Sequence, residues 1–338
     1  MQIFTKNSTF IMLQNAAVKK RPFNLLNDMD IEFCNYQIRS QYDCLDSFFN
    51  EQITSDYIYV DVPSHLNIGD WLIALGCFEL LKKIKFKCID KTTWFNLEYS
   101  KISDDTIIIL HGGGNFGDLY RGATEARNEI IKRYPNNKII ILPQTITYIN
   151  QDLLKADSLL YEAHNDLHIC VRDRESFNLL RNYCRKTRIY LLPDTAVGLC
   201  DTLPKQNKIT SKTLIINRKD KEIDKKIEKS SSGEVIKDWQ DILHDIHFNL
   251  IYYPYLIIRK IQRMSKEKCL HRLSNFYLIN IMQPFVLKRV TMYFLQFDLV
   301  KTTRLHGFIF ASLLGIKTII TDNKYNKISN YQNTWFSK

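Results

Sequence analysis

The chain has 338 residues, 45% hydrophobic and 25% charged, which excludes a disordered protein and leaves room for two ordinary domains. Its net charge of +11 asks for an anionic partner, whether nucleic acid, an anionic membrane surface or an acidic substrate. Eight cysteines are scattered without a Cys-x-x-Cys pair, so they read as reduced core thiols and not as a disulfide framework or a zinc site.

Neither a secretory leader nor an uncharged apolar run long enough to span a bilayer is expected. Residues 1–55 offer a helix over Tyr42–Gln52 and an Asp28-Met29-Asp30 triplet, which has metal-site spacing but lacks the apolar strand that should precede it. From Tyr57 the pattern sharpens. Tyr57–Val62 reads as a strand, Pro63–Asp70 as a loop and Trp71–Lys83 as a helix, with Asp70 either facing a ligand or capping that helix. Short strands follow at Phe86–Ile89 and Thr106–Leu110. The latter empties into His111-Gly112-Gly113-Gly114-Asn115-Phe116-Gly117-Asp118, a glycine-rich turn whose backbone can approach an anion ahead of the next helix. Further strands at Lys138–Leu142, Leu167–Val171 and Arg188–Leu192 alternate with helices at Glu125–Tyr134 and Phe177–Tyr183, the spacing of a parallel α/β sheet. Polar residues cluster after each strand, which predicts one shared ligand edge.

The polar stretch 201–212 is the expected linker, giving one unit over 1–203 and another over 204–338. Thr213–Asn217 starts the second unit, followed by Arg218 and a charged surface loop through Gly233. Residues 239–297 are mostly helical, aromatic and basic. They read either as helices lying on an anionic membrane surface or as core helices with snorkelling lysines and arginines. Phe297–Val300 is a strand, Lys301–Gly307 a loop, Phe308–Leu314 a helix and Lys317–Thr321 the last strand, before the polar loop Asp322–Lys327.

If the ligand edges of two such halves face each other, the groups that meet are His111, Gly112, Gly113, Gly114, Asn115, Asp118, Arg172, Arg174, Asp194, Arg218, Arg304 and His306. Several convergent arginines suit a small, multiply charged anion. His306 is the side chain best placed for proton transfer near neutral pH. No Gly-x-x-x-x-Gly-Lys-Ser/Thr loop and no Gly-x-Ser-x-Gly elbow occurs, which disfavours a P-loop nucleotidase and an ordinary serine hydrolase.

Six motifs in order carry a resemblance: Asn67-Ile68-Gly69-Asp70, His111–Asp118, Leu142-Pro143-Gln144-Thr145, Arg172-Asp173-Arg174-Glu175-Ser176, Leu192-Pro193-Asp194, and Arg304-Leu305-His306-Gly307 with Asp322, Asn323 and Tyr325. Together they resemble the polysaccharide pyruvyl transferase family over roughly 57–200 and 297–335. The resemblance implies an α/β fold of two Rossmann-like lobes facing a central cleft, similar to GT-B glycosyltransferases. It also implies transfer of a carboxyethylidene (pyruvate ketal) group from phosphoenolpyruvate to two hydroxyls of a sugar in a bacterial exopolysaccharide, capsule or other surface glycan. Arg172, Arg304, Leu305 and His306 would hold the donor, with His306 as general acid or phosphate ligand. Asp70, Asp118 or Asp194 would serve the acceptor, and Arg218 corresponds more weakly. Phosphoenolpyruvate would be the donor substrate, with no further cofactor, no metal and no nucleic acid expected. A lipid-linked oligosaccharide acceptor would favour a cytoplasmic protein touching the inner face of the membrane. The alternatives are a GT-B glycosyltransferase using a sugar nucleotide, and a non-catalytic basic protein that binds a membrane or anionic polymer. The pyruvyl reading requires Gly113 and His306 to share one face of the protein.

Overall fold

The computed structural model describes residues 31–207, 210–219, 233–265, 268–321 and 326–337; the Asp28-Met29-Asp30 triplet and Asp322, Asn323 and Tyr325 lie outside them. The protein is built on two parallel sheets layered with helices. The first sheet uses β1 (Tyr57–Val60), β2 (Cys88–Thr92), β3 (Ile107–Leu110), β4 (Gly113–Gly117), β5 (Ile139–Thr147), β6 (Leu167–Val171) and β7 (Arg188–Leu191). Their order is β2-β1-β3-β5-β6-β7, with β4 paired to β5 beyond the end of β3. The second sheet uses β8 (Thr213–Ile216), β9 (Glu234–Lys237), β10 (Leu299–Thr302) and β11 (Lys317–Ile320), in the order β11-β10-β8-β9.

The strand sequences explain this layering. Strands buried on both faces carry apolar residues without alternation, as parallel strands do. In β1 and β3, Tyr57, Tyr59, Ile107 and Ile109 enter one apolar cluster while Ile58, Val60, Ile108 and Leu110 enter another. The first cluster continues through α2 (Ile68–Leu81), α9 (Gln283–Phe294) and α10 (Leu305–Leu313) to Leu214, Ile216 and Val300 of the second sheet, so one core serves both sheets.

Several expectations are revised. The glycine stretch is not a loop delivering the chain to a helix N-terminus: Gly113–Gly117 is a short strand whose residues pair with Gln144, Ile146 and Thr147. The helix after it, α3, begins only at Arg121 and runs to Arg133. The N-cap of α2 is Asn67, whose side chain accepts from Gly69 N–H, and Asp70 sits inside the first turn. Asp173 caps α5 (Arg174–Tyr183), making Arg174 helical and exposed. Two further helices appear where none was anticipated, α4 (Gln151–Ala163) and α11 (Lys327–Trp335). Residues 239–297 hold α6 (Trp239–Asp245), α7 (Asn249–Ser265), α8 (Lys268–Tyr277) and α9, and they divide in character. Helix α9 is a core helix, whereas α7 buries only Tyr255 and Gln262. Among the described residues no helix is long and apolar enough to cross a membrane.

Candidate active site

The segments that follow β1, β4, β6, β8, β9 and β10 line a cavity of about 700 Å³. Parallel strands place their carboxyl ends, and the N-termini of the following helices, on the same side. Accordingly α2, α3, α10 and α11 all begin at the cavity wall, through Asn67, Arg121, Leu305 and Lys327. The positive end of each helix dipole therefore lies at one space and favours an anion there.

Cationic side chains reinforce that field. Arg172, Arg218, Arg304 and Lys327 line the cavity and are largely withdrawn from bulk solvent, and the more exposed Arg121 stands at the start of α3. Arg172 leaves the end of β6 with its Nε donating to Thr145 Oγ1 at 2.9 Å and its Nη1 to Asp194 Oδ2 at 2.6 Å. Arg304 is gripped by both carboxylate oxygens of Asp238, with Nη2 to Oδ2 at 2.7 Å. Asp238 also caps α6 and closes a capping box with Asp241. Gly114 makes room between two of the cations. A Cβ there would stand 3.0 Å from Arg172 Nη2 and 3.4 Å from Lys327 Nζ.

Asp194 is fully buried behind this wall. Its carboxylate accepts from Arg172, from Ala196 N–H at 2.9 Å and from His306 Nε2 at 3.2 Å. Burial alone would push its pKa up, but His306, Arg172 and the Ala196 amide outweigh that and hold it well below the usual carboxylate range. An ionised carboxylate only accepts, so Nε2 of His306 carries a hydrogen toward Asp194 and Nδ1 is left for other work. Nδ1 lies over Gly69, where a Cβ would come within 2.5 Å of it. Asp194 thus ties Arg172 at the first sheet to His306 at the start of α10, beside the second.

The structure brings Asp70, Gly114, Asn115, Arg172, Arg218, Arg304, Leu305 and His306 to one cavity. Gly113 stands beside them, since a Cβ on it would sit 3.4 Å from Asp70 Oδ1, so Gly113 and His306 do share a face. Asp70 accepts from Asn67 Nδ2 at 2.8 Å and faces His65 Nε2 at 3.4 Å.

Other expected residues fall elsewhere. Asp118 is outside the cavity wall: its carboxylate takes the backbone N–H groups of Ile149 and Asn150, at 2.6–2.9 Å, and so fixes the turn after β5. His111 is buried beneath the wall with Nδ1 2.6 Å from the Tyr59 hydroxyl, and burial lowers its pKa to about 3, which keeps it neutral. Gly112 is packed against Pro143 O, where a Cβ would meet it at 2.9 Å. Asp194 supports Arg172 and His306 from behind.

Sequence reasoning missed Lys327, Asp238 and Arg127 as members of the site. Lys327 opens α11 and reaches Gly114 O at 3.5 Å. Arg127, buried in α3, donates to Asn115 Oδ1, so the Asn115 amide is oriented from below. The signal for Lys327 was its place two residues after Tyr325, at the end of the polar loop Asp322–Lys327. Nothing local marks Arg127, which reads as an ordinary helix charge.

The fold and this cavity define an α/β protein with a cavity walled by cationic side chains where the strands of two parallel sheets end. The "Polysaccharide pyruvyl transferase" family description matches residues 67–325, and the chain belongs to that family. EpsO of Bacillus subtilis (strain 168), which bears a pyruvyl transferase name, is 32% identical over 83% of this chain and 85% of its own. "Pyruvyl transferase 1" of Schizosaccharomyces pombe is 24% identical over 94% of this chain and 79% of its own. A crystal structure of a functionally uncharacterised protein, KP1_0663 of Klebsiella pneumoniae, superposes with a TM-score of 0.53 at 18% identity, covering 88% of this chain and 93% of that one, and so shares the fold. Membership makes the chain a transferase whose acceptor is a glycan.

Proposed function

We propose that the protein moves a carboxyethylidene group from phosphoenolpyruvate to two hydroxyls of one sugar in a bacterial exopolysaccharide, capsule or other surface glycan. In this reading the two sheets form two GT-B-like lobes, 1–203 and 204–338, with the cavity as the cleft between them. The observation that carries it is the convergence of Arg172, Arg218, Arg304 and Lys327 with four helix N-termini on one cavity. Phosphoenolpyruvate presents a phosphate and a carboxylate, and guanidinium groups suit both.

The reaction needs a proton on the methylene carbon of the donor, charge stabilisation at the neighbouring carbon, attack there by one hydroxyl, departure of phosphate and closure by the second hydroxyl, whose proton the leaving phosphate takes up. His306 delivers the proton through Nδ1 while Asp194 holds Nε2, and a hydroxyl proton lost on attack restores the ring. Arg172 and Arg304 hold the donor, and the developing phosphate charge falls among helix N-termini that are already oriented. Asp70, held by Asn67 at the cavity wall, is placed to orient an acceptor hydroxyl. Asp118 has its carboxylate committed to backbone and takes no part in this scheme.

The test is incubation of purified protein with phosphoenolpyruvate and a panel of lipid-linked or synthetic galactosides, glucosides and N-acetylhexosaminides, read by mass and phosphate release. A ketal product is expected, and His306→Ala should slow it about 100-fold or more while leaving the circular dichroism unchanged. Turnover of a sugar nucleotide instead, or an unimpaired His306→Ala protein, overturns the assignment.

A further inference from the structure

Helix α7 turns the wrong face to solvent for an ordinary surface helix. Leu250, Tyr253, Ile257, Ile261 and Met264 follow one another at three- and four-residue steps, so they form a single stripe along it. That stripe is uncovered: Leu250 and Met264 are each 78% exposed and Ile257 is 59% exposed. Of the seventeen exposed large hydrophobic residues among the described ones, ten lie between Leu250 and Met292. Such a concentration is not the scatter of single apolar side chains that any surface carries.

The opposite face of α7 is already satisfied. Tyr255 and Gln262 are buried, Arg259 stacks over the Phe95 ring at 3.6 Å, and Gln262 donates to Asn96. Helix α8, beside it, is fixed in the same way, through Asn275 to Thr92 Oγ1 at 3.0 Å, and leaves Leu273 and Phe276 outside. The pair is therefore firmly seated through its inner face.

Charge identifies the occupant. Residues 249–297 carry eight lysines and arginines against one acidic residue, Glu267. Lys260, Arg263 and Arg272 are exposed among the apolar residues of α7 and α8. An apolar stripe within a predominantly basic surface is the chemistry of a helix lying in the headgroup region of an anionic bilayer. A dimer seam would bring the same positive charges together across the interface, which like-charge repulsion opposes.

We propose that α7 and α8 form a peripheral docking surface for anionic phospholipid membranes, with the helices lying in the plane of the interface. The inner face of α7, behind the docked stripe, abuts a loop that enters the active site. Tyr255 lies beside Ser64, and Gln283 Nε2 of α9 donates to Pro63 O at 3.2 Å, in the loop that sends His65 to the cavity wall. A membrane under α7 and α8 thus lies beside the route an acceptor carried on a lipid would take. The surface itself stands independently of the donor assignment.

The test is vesicle flotation of the full chain with phosphatidylcholine alone or with about one third phosphatidylglycerol, at low and high salt. The protein is expected to float with the anionic vesicles only, less so at high salt. The Ile257→Glu/Ile261→Glu double variant should lose at least tenfold in binding, with its circular dichroism and its phosphate release on a soluble acceptor unchanged. Lys260→Glu/Arg263→Glu should weaken binding likewise. No flotation, equal binding to neutral vesicles, or binding unaffected by both variants overturns the proposal, as does light scattering that shows a dimer which the isoleucine variant splits. Flotation needs no turnover, so an inactive wild-type protein would sink the donor reading and leave this surface intact.

Discussion

A methyl group on Gly69 would cover His306 Nδ1, the ring nitrogen that Asp194 leaves open, at a separation of 2.5 Å. Relief requires the imidazole to move from Asp194, so Gly69→Ala should lower kcat about 100-fold, as small misplacements of reacting groups do. Circular dichroism should show the native fold, and steady-state kinetics with phosphoenolpyruvate check the loss. Asp194 supplies a pH dependence. Its folded pKa lies below the ordinary 3.8, so the stabilisation it gives is fully present above that value and is lost as pH falls through the lowered one. Urea midpoints followed between about pH 5 and pH 2 should fall, and Asp194→Asn should start lower and flatten that acid limb. Arg172, Arg304 and His306 were legible because each closely follows an apolar strand, where parallel sheets collect their ligands. Asp118 misled because a carboxylate after a glycine run looks the same whether it serves a ligand or a turn. Its actual partners, Ile149 and Asn150, are 31 and 32 residues away and belong to another strand's exit.

Among the elements, the strands buried on both faces could be read almost to their ends, because an unbroken β-branched run admits few other readings. Strands β4 and β9 could not. The first is made of glycine and polar residues and exists because β5 continues past β3 and leaves a free edge. The second, Glu234–Lys237, pairs with β8 alone among the described strands, at the rim of its sheet. Helix α11 was hidden for another reason: its sequence is polar, and its burial comes from docking across the first sheet's edge. Trp335 Nε1 donates to Arg172 O at 2.8 Å, and Tyr331 accepts from Asp194 N–H at 3.2 Å while donating to Gln41 Oε1 at 2.8 Å. Tyr331→Phe strips a buried hydroxyl from both contacts and should cost about 1–3 kcal/mol of stability in chemical denaturation. Because Asp194 loses a backbone contact, a fall in donor affinity should accompany it in the same preparation.

At the scale of the molecule, the sequence shows two runs of strand and helix but not that one apolar cluster serves both sheets, since such sharing depends on which faces of α2 and α10 meet. The positive charge likewise has two destinations that composition cannot separate, a cavity walled by arginines and a basic apolar face on α7 and α8. The return of α11 bears on how the protein is made. Tyr331 lies 137 residues beyond Asp194, and Lys327 opens the same helix. A ribosome that has released the whole first sheet has therefore still not released the residues that complete its ligand edge. The nascent chain can fold most of its first sheet early, but it exposes an unfinished pocket until α11 clears the exit tunnel. Chains truncated before Lys327 would thus be incapable of donor binding even when most of their strands are in place.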